Sequence, residues 1–214
     1  MRASVLLKWG VDELLRKYPE LRLQPATKNE MVIAGSLGFS AQTRGHKLIT
    51  DRYEVSISVP PDYPRAIPLL RETAMRIPRD FHKLNSGHLC LGSPTRLRLI
   101  LAETPSLLSF VERCVIPYLY AYSIVESGGV LPFGELSHGA RGLRDDLASM
   151  IGVNDDVVLL GVVRLLVMKK RKANKLPCPC GSGMRLGRCH NRKLNMLRTK
   201  LGRGWFSSLL AWLA

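Results

Sequence analysis

Residues 51–68 read DRYEVSISVPPDYPRAIP, and the fold turns on how they are taken. Tyr53, Val55, Ile57 and Val59 alternate with Arg52, Glu54, Ser56 and Ser58. A period of two predicts a strand with one packed face and one wet face. The strand must stop at Pro60, because four prolines within 60–68 remove ladder donors and fix a turn. Working outward, 31–41 predicts a second strand and 5–18 an amphipathic helix ended by Pro19. On the other side, 67–77 predicts a further, less regular strand, and 97–102 is a short apolar run. Thr104 reads as a helix N-cap with Pro105 at the first helical position. Leu107, Phe110, Val111, Cys114, Val115, Tyr118 and Tyr122 then form a buried helical stripe, with a kink expected at Pro117. Residues 128–142 read as loop, 143–150 and 156–170 as closing helices, and 173–177 as a linker. Asp155 or Asp156 opens the second of these helices and a basic run at 169–172 closes it, both favourable to the helix dipole.

The chain has 214 residues and a net charge of +15, unevenly spread. Residues 157–214 hold 13 Lys or Arg and no Asp or Glu, leaving only +2 for residues 1–156. Such a segment suits an anionic partner: nucleic acid, an acidic protein face or an anionic membrane. The bland alternative is a solvated basic tail. The opening residues carry acids and Trp where a secretory signal would be apolar, and no run reaches the ~18 apolar residues of a membrane span. A reducing, cytoplasmic setting is therefore expected, which favours free, metal-bound or catalytic thiols over disulfides.

Five cysteines are present. Cys178, Cys180 and Cys189 cluster with His190 in CPCGSGMRLGRCH. Three thiolates and an imidazole are the donor set of a tetrahedral structural zinc site, and Gly181 and Gly183 let the backbone close around the ion. Cys114 falls in the helical stripe and reads as core. Cys90 lies elsewhere, in FHKLNSGHLCLGSP (81–94), after a strand and a proline-rich turn and before a long helix. That position can lift a thiol onto an exposed shelf. Asp62, Tyr63 and Pro64 read as structural, Tyr63 packing its ring while its hydroxyl stays in water. His138, in the glycine-rich loop, reads as an ordinary loop residue or as a base approaching the thiol.

Two resemblances follow from these residues. PCPCGSGMRLGRCH, with all four ligand positions filled, resembles the SEC-C motif, although Met184, Arg185 and Leu186 depart from the residues usual there. Val59-Pro60-Pro61-Asp62-Tyr63-Pro64-x3-Pro68, followed by Cys90 within Gly87-x-x-Cys90-Leu91, resembles the ubiquitin-conjugating enzyme family. The likeness is to the prokaryotic branch associated with antiphage systems. It implies an α+β domain in which an antiparallel sheet is flanked by helices. It also implies that Cys90 takes the C-terminus of a ubiquitin-like modifier, or another protein tail, as a thioester and passes it to an amine. An activating enzyme and the modifier or target would be its partners. The family's oxyanion donor comes from a His-Pro-Asn triplet that is absent here; its position is His82, which can donate a hydrogen bond, with Asn85 as the second candidate. His88 either tunes the thiol or is an exposed turn residue.

The expected organisation is a conjugating-enzyme-like domain at 1–150, a basic helix and linker at 151–175, a zinc knuckle at 176–193 and a basic, apolar tail at 194–214. That tail, ending in WFSSLLAWLA, is expected to dock as a short helix or to contact a membrane peripherally. The rival readings are an inactive relative acting as a protein-binding adaptor, a nucleic-acid-binding module at 164–203, and a cysteine hydrolase. Residues 164–203 contain no Phe, Tyr or Trp to stack on single-stranded bases.

Overall fold

The computed structural model describes residues 9–25, 30–132 and 139–213. The chain divides into two compact units, Met1–Glu135 and Leu136–Ala214. Residues 139–150, expected in the first domain, form most of a helix (Gly139–Ile151) that falls in the second unit. His138 lies outside the described residues.

The first unit is a mixed α+β structure built on a four-stranded antiparallel meander, β1 (Leu21–Leu23), β2 (Met31–Ala41), β3 (Ile49–Val59) and β4 (Leu69–Glu72), paired in chain order. The alternation in 53–59 is realised: Tyr53, Val55, Ile57 and Val59 are buried while Arg52 and Glu54 are exposed. Register sets Ile33 opposite Ile57 and Leu37 opposite Tyr53, so both strands present one apolar face. That face is covered by α1 (Val11–Lys17) and by a long helical segment, α3 (Leu107–Phe110) continuing through a π turn (Val111–Val115) into α4 (Ile116–Glu126). The expected helix at 5–18 is described only from Val11.

Several local expectations change. β4 is shorter than 67–77 because the Glu72 carboxylate accepts the N–H groups of Ala74 (2.7 Å) and Ile77 (3.2 Å), drawing the chain out of the sheet. The apolar run at 97–102 belongs to α2 (Pro94–Glu103), with Ser93 as N-cap and Pro94 in the first turn. Thr104 is not a helix N-cap: its N–H bonds Ile100 O (3.0 Å) and closes α2, and Ser106 caps α3 instead. Pro117 sits in the first turn of α4, where a missing N–H is harmless, and the π turn ahead of it takes up the irregularity. Tyr63 is 4% exposed and its hydroxyl is buried with no hydrogen bond among the described residues, so it is not the wet tip expected; its ring meets Trp9 edge-on at 5.2 Å.

A charged clamp holds the chain beyond β4 against β3. Arg76 binds both carboxylate oxygens of Asp51 (2.9 and 2.8 Å), reaches Glu126 (3.0 Å) and lies 4.3 Å above the Tyr53 ring. Burial favours the neutral form of Asp51. Hydrogen bonds from Arg76, Ser123 and the Arg52 N–H outweigh it and hold the carboxyl at about 2, below the usual 3.8. A folded-state value below the unfolded one stabilises the fold above the unfolded value, and this contribution disappears as pH falls through 3.8 toward 2. Asp51→Asn should therefore lower unfolding stability by about 2 kcal/mol at pH 7, with the gap closing between about pH 4 and pH 2. Urea titrations of both proteins at pH 7 and pH 2.5 read this directly; an equal gap at both would rule it out.

The second unit is helical: α5 (Gly139–Ile151), α6 (Asp156–Val167), α7 (Lys170–Ala173), a 3-10 turn (Leu186–Arg188) and α8 (Asn191–Leu213), which breaks at Gly202 (φ 76°, ψ 160°). Asp155 caps α6 by accepting the Val158 N–H at 2.8 Å. The C-terminal carbonyls of α6 are met by arginines from α8: the buried Arg198 donates to Leu165 O (2.9 Å) and Leu166 O (3.4 Å), and Arg203 to Val167 O (2.9 Å). Cations here satisfy orphan carbonyls and oppose the helix dipole. The tail at 205–213 continues α8 beyond the break, burying Phe206, Leu209 and Leu213 and leaving Trp212 exposed edge-on to Trp205. No described helix is long and apolar enough to cross a membrane.

Candidate functional site

Cys90 follows β4 on a small hairpin. Lys83 bridges Leu89, Leu84 N–H bonds His88 O (2.8 Å), and Gly87 turns the chain at φ 79°, a left-handed conformation that favours glycine. Leu89 N–H bonds Leu70 O (2.8 Å), which fastens this hairpin to β4. Next to it, Cys90 N–H bonds His82 O at 2.7 Å. Leu89 is buried in the core, whereas Cys90 stays half-buried, four residues ahead of Pro94 where α2 begins. Cys114 contrasts with it: at 3% exposure its thiol is pushed up to about 11 by burial.

The other site residues predicted from sequence fall as follows. His82 meets Cys90 through its carbonyl, and its ring packs edge-on against Phe81 (5.1 Å). Its backbone is left-handed (φ 40°), and the Tyr118 hydroxyl donates to Phe81 O (2.9 Å) and His82 O (3.4 Å). Asn85 lies exposed on the hairpin turn. His88 is tied away from the thiol. Arg71 Nε, which can only donate, bonds its Nε2 at 3.0 Å, and Nδ1 meets Ser86 Oγ at 2.9 Å. The neutral ring thus carries its proton on Nδ1. Burial, then the Arg71 charge, lower its pKa.

Two residues of this neighbourhood were not singled out from the sequence as site residues. Arg71, on β4, also donates to Ser86 O (2.9 Å) and so braces the turn on both sides of Gly87. Nothing in its strand context signals this. From the sequence Tyr118 reads only as core; its hydroxyl reaches the His82 carbonyl that also accepts the Cys90 N–H, and burial raises its pKa. A tyrosine amid an apolar helical stripe is a hint that its hydroxyl has a buried partner.

The second cluster lies in the helical unit. Ligand atoms of Cys178, Cys180, Cys189 and His190 all fall within 4.8 Å of one another. Cys180 and Cys189 sulfurs are 3.5 Å apart, and His190 Nδ1 lies 3.2 Å from the sulfurs of both Cys178 and Cys189. A tetrahedral zinc site with bonds of about 2.0–2.3 Å separates its donors by roughly 3.4–3.8 Å, so the cluster fits such an ion with little adjustment. Gly181 (φ 76°) and Gly183 (φ 70°) make the turns between the cysteines. Burial raises the pKa of the Cys178 thiol, while the hydroxyl and N–H of Ser182 lower that of Cys180. The expected linker at 173–177 is part of this structure: Asn174 O accepts Gly187 N–H (3.1 Å), Leu176 O accepts Leu186 N–H (2.9 Å), and Ala173 is buried. Backbone pairing across the knuckle removes the freedom a linker would need.

The SEC-C motif profile matches residues 176–192, the knuckle alone. No curated protein matches the chain. The motif and the four converging donors agree on a Cys3His cluster of the metal-binding kind.

Proposed function

We propose that the first unit is a conjugating-enzyme-like acyl carrier acting through Cys90, and that the second holds a structural zinc ion in its Cys3His knuckle. The observation that carries the acyl-carrier reading is the contrast between two thiols: Cys114 is sealed in the core, while Cys90 is half-buried on a hairpin braced from β4 and from His82. The meander, cysteine hairpin and following helices also come in the order the resemblance implies. In the reaction, the Cys90 thiolate attacks the carbonyl of an activated C-terminus; the new C–S bond forms as the leaving group departs. A target amine then attacks the thioester, an amide forms, and the Cys90 thiol is restored. His82 or the exposed Asn85 would donate to the developing oxyanion once a substrate is bound. In this reading His88, whose Nε2 accepts from Arg71, serves as a turn residue and does not tune the thiol. The physiological setting implied is bacterial antiphage defence with an activating enzyme and a ubiquitin-like modifier.

The test uses a peptide ending in glycine, presented as a mercaptoethanesulfonate thioester to the zinc-loaded full chain. Mass spectrometry should find one adduct on Cys90, released by dithiothreitol or hydroxylamine, absent in Cys90→Ala and retained in Cys114→Ala. Equal labelling of Cys90→Ala, or no adduct on Cys90 with excess donor, would sink the acyl-carrier reading. The knuckle's motif match supports a second reading, a non-catalytic protein-binding adaptor, under which Cys90→Ala leaves biological function intact.

A further inference from the structure

We infer that the knuckle and α7 form a face that grips the phosphodiester backbone of duplex nucleic acid. The inference is independent of Cys90 and rests on how the cluster folds the acid-free part of the chain. Lys172 and Lys175 precede the knuckle; Arg185, Arg188 and Arg192 come after its glycine turns. In the linear chain these groups are separated. The bonds from Gly187 N–H to Asn174 O and from Leu186 N–H to Leu176 O, with the Pro177–Arg185 bridge, lay 174–177 alongside 185–187. The segment bearing Lys175 therefore lies alongside that bearing Arg185, with Lys172 two residues before the first paired position and Arg188 one after the last, and Arg192 stands in the first turn of α8. All five side chains are exposed, and residues 157–214 contain no carboxylate side chain, the acids of this unit's helices lying at 145, 146, 155 and 156. The close approach is built in: a Cβ on Gly187 would lie 2.9 Å from Asn174 O.

The chemistry of this face favours phosphate over an acidic protein. Protein interfaces centre on aromatic or large apolar side chains and are depleted in lysine. Here 164–203 has no Phe, Tyr or Trp, and its exposed large apolar side chains are Leu176, Met184 and Met196. The same lack of aromatics disfavours single strands, whose bases need stacking partners. Regularly spaced phosphates need only cations.

Fluorescence anisotropy of the zinc-loaded full chain with a labelled mixed-sequence duplex of about 24 base pairs tests this. Five phosphate contacts give a salt slope of about −4 to −5, so affinity should fall by roughly two to three orders of magnitude between 50 and 200 mM salt. Arg185→Glu/Arg188→Glu should weaken binding by about tenfold or more, whereas Arg65→Glu/Arg79→Glu, with the same change in net charge on the first unit, should have a far smaller effect. Zinc content and circular dichroism of both double variants confirm folding. Cys90→Ala should bind like the parent. Duplex DNA and duplex RNA run side by side identify which backbone is preferred. No binding at 50 mM salt, equal weakening by the two double variants, or tighter capture of a polyglutamate peptide than of either duplex would overturn the inference.

Discussion

Chelation of the zinc-loaded chain is expected to collapse the amide dispersion of residues 176–192 in a heteronuclear NMR spectrum, while amides of β2 and β3 stay in place. The segment has little else to fold around. Its buried side chains are Cys178 and Leu186, and its turns rest on Gly181 and Gly183, which favour many conformations when unconstrained. In small metal knuckles the binding free energy is the folding free energy, on the order of 10 kcal/mol. The loss should extend a short way into α6. Pro179 packs so closely on that helix that a Cβ at Gly161 would come within 2.9 Å of it, so freeing the knuckle should shift the Gly161 amide as well. Cys189→Ser should reduce bound zinc from one equivalent to well below one by elemental analysis, since Cys189 touches Cys180, His190 and Ser182. An unchanged spectrum after complete metal removal would show that protein contacts alone hold the loop.

Gly35→Ala should be the most damaging single-methyl change in the first unit. Gly35 pairs with Leu21 on one side and Val55 on the other, at φ 139°. A Cβ there would stand 2.3 Å from the backbone oxygen of Glu20, which cannot swing aside as a side-chain tip would. Overpacking of about 1–3 kcal/mol and backbone strain of similar size combine to a loss of roughly 3–5 kcal/mol. Gly38→Ala is the internal control, because a Cβ at Gly38 meets nothing within 4 Å. In a background where Trp205 and Trp212 are replaced by Phe, Trp9 reports on the first unit alone, and its urea transition should move strongly for Gly35→Ala and little for Gly38→Ala. Equal transitions would mean that β1 adjusts freely to β2.

The elements legible in the sequence were those whose residues state their own surroundings. Alternation in 53–59 announces one buried face whatever that face meets, and β2 was read with the bounds it has. The four metal donors were equally plain, since three cysteines and a histidine at that spacing have few other reasons to occur together. Boundaries set by competition were not legible. Thr104 reads from the sequence as an N-cap, yet in the fold it ends α2 through its N–H to Ile100 O, and the Ser106 side chain caps α3. Residues 174–176 looked like a linker because their partners, Leu186 and Gly187, lie across a turn that only the folded cluster makes.

Composition and period alone therefore determined that this chain has an alternating sheet strand, a long apolar helix, a Cys3His donor set and an acid-free, basic end. Tertiary structure decided that the His88 lone pair belongs to Arg71, that Thr104 ends one helix instead of opening the next, and that residues 174–177 run alongside 185–187. The reason is physical: hydrophobic period and ligand chemistry are properties of a residue and its near neighbours. Ownership of a proton and adjacency of separate segments depend on which distant groups the closed chain brings together.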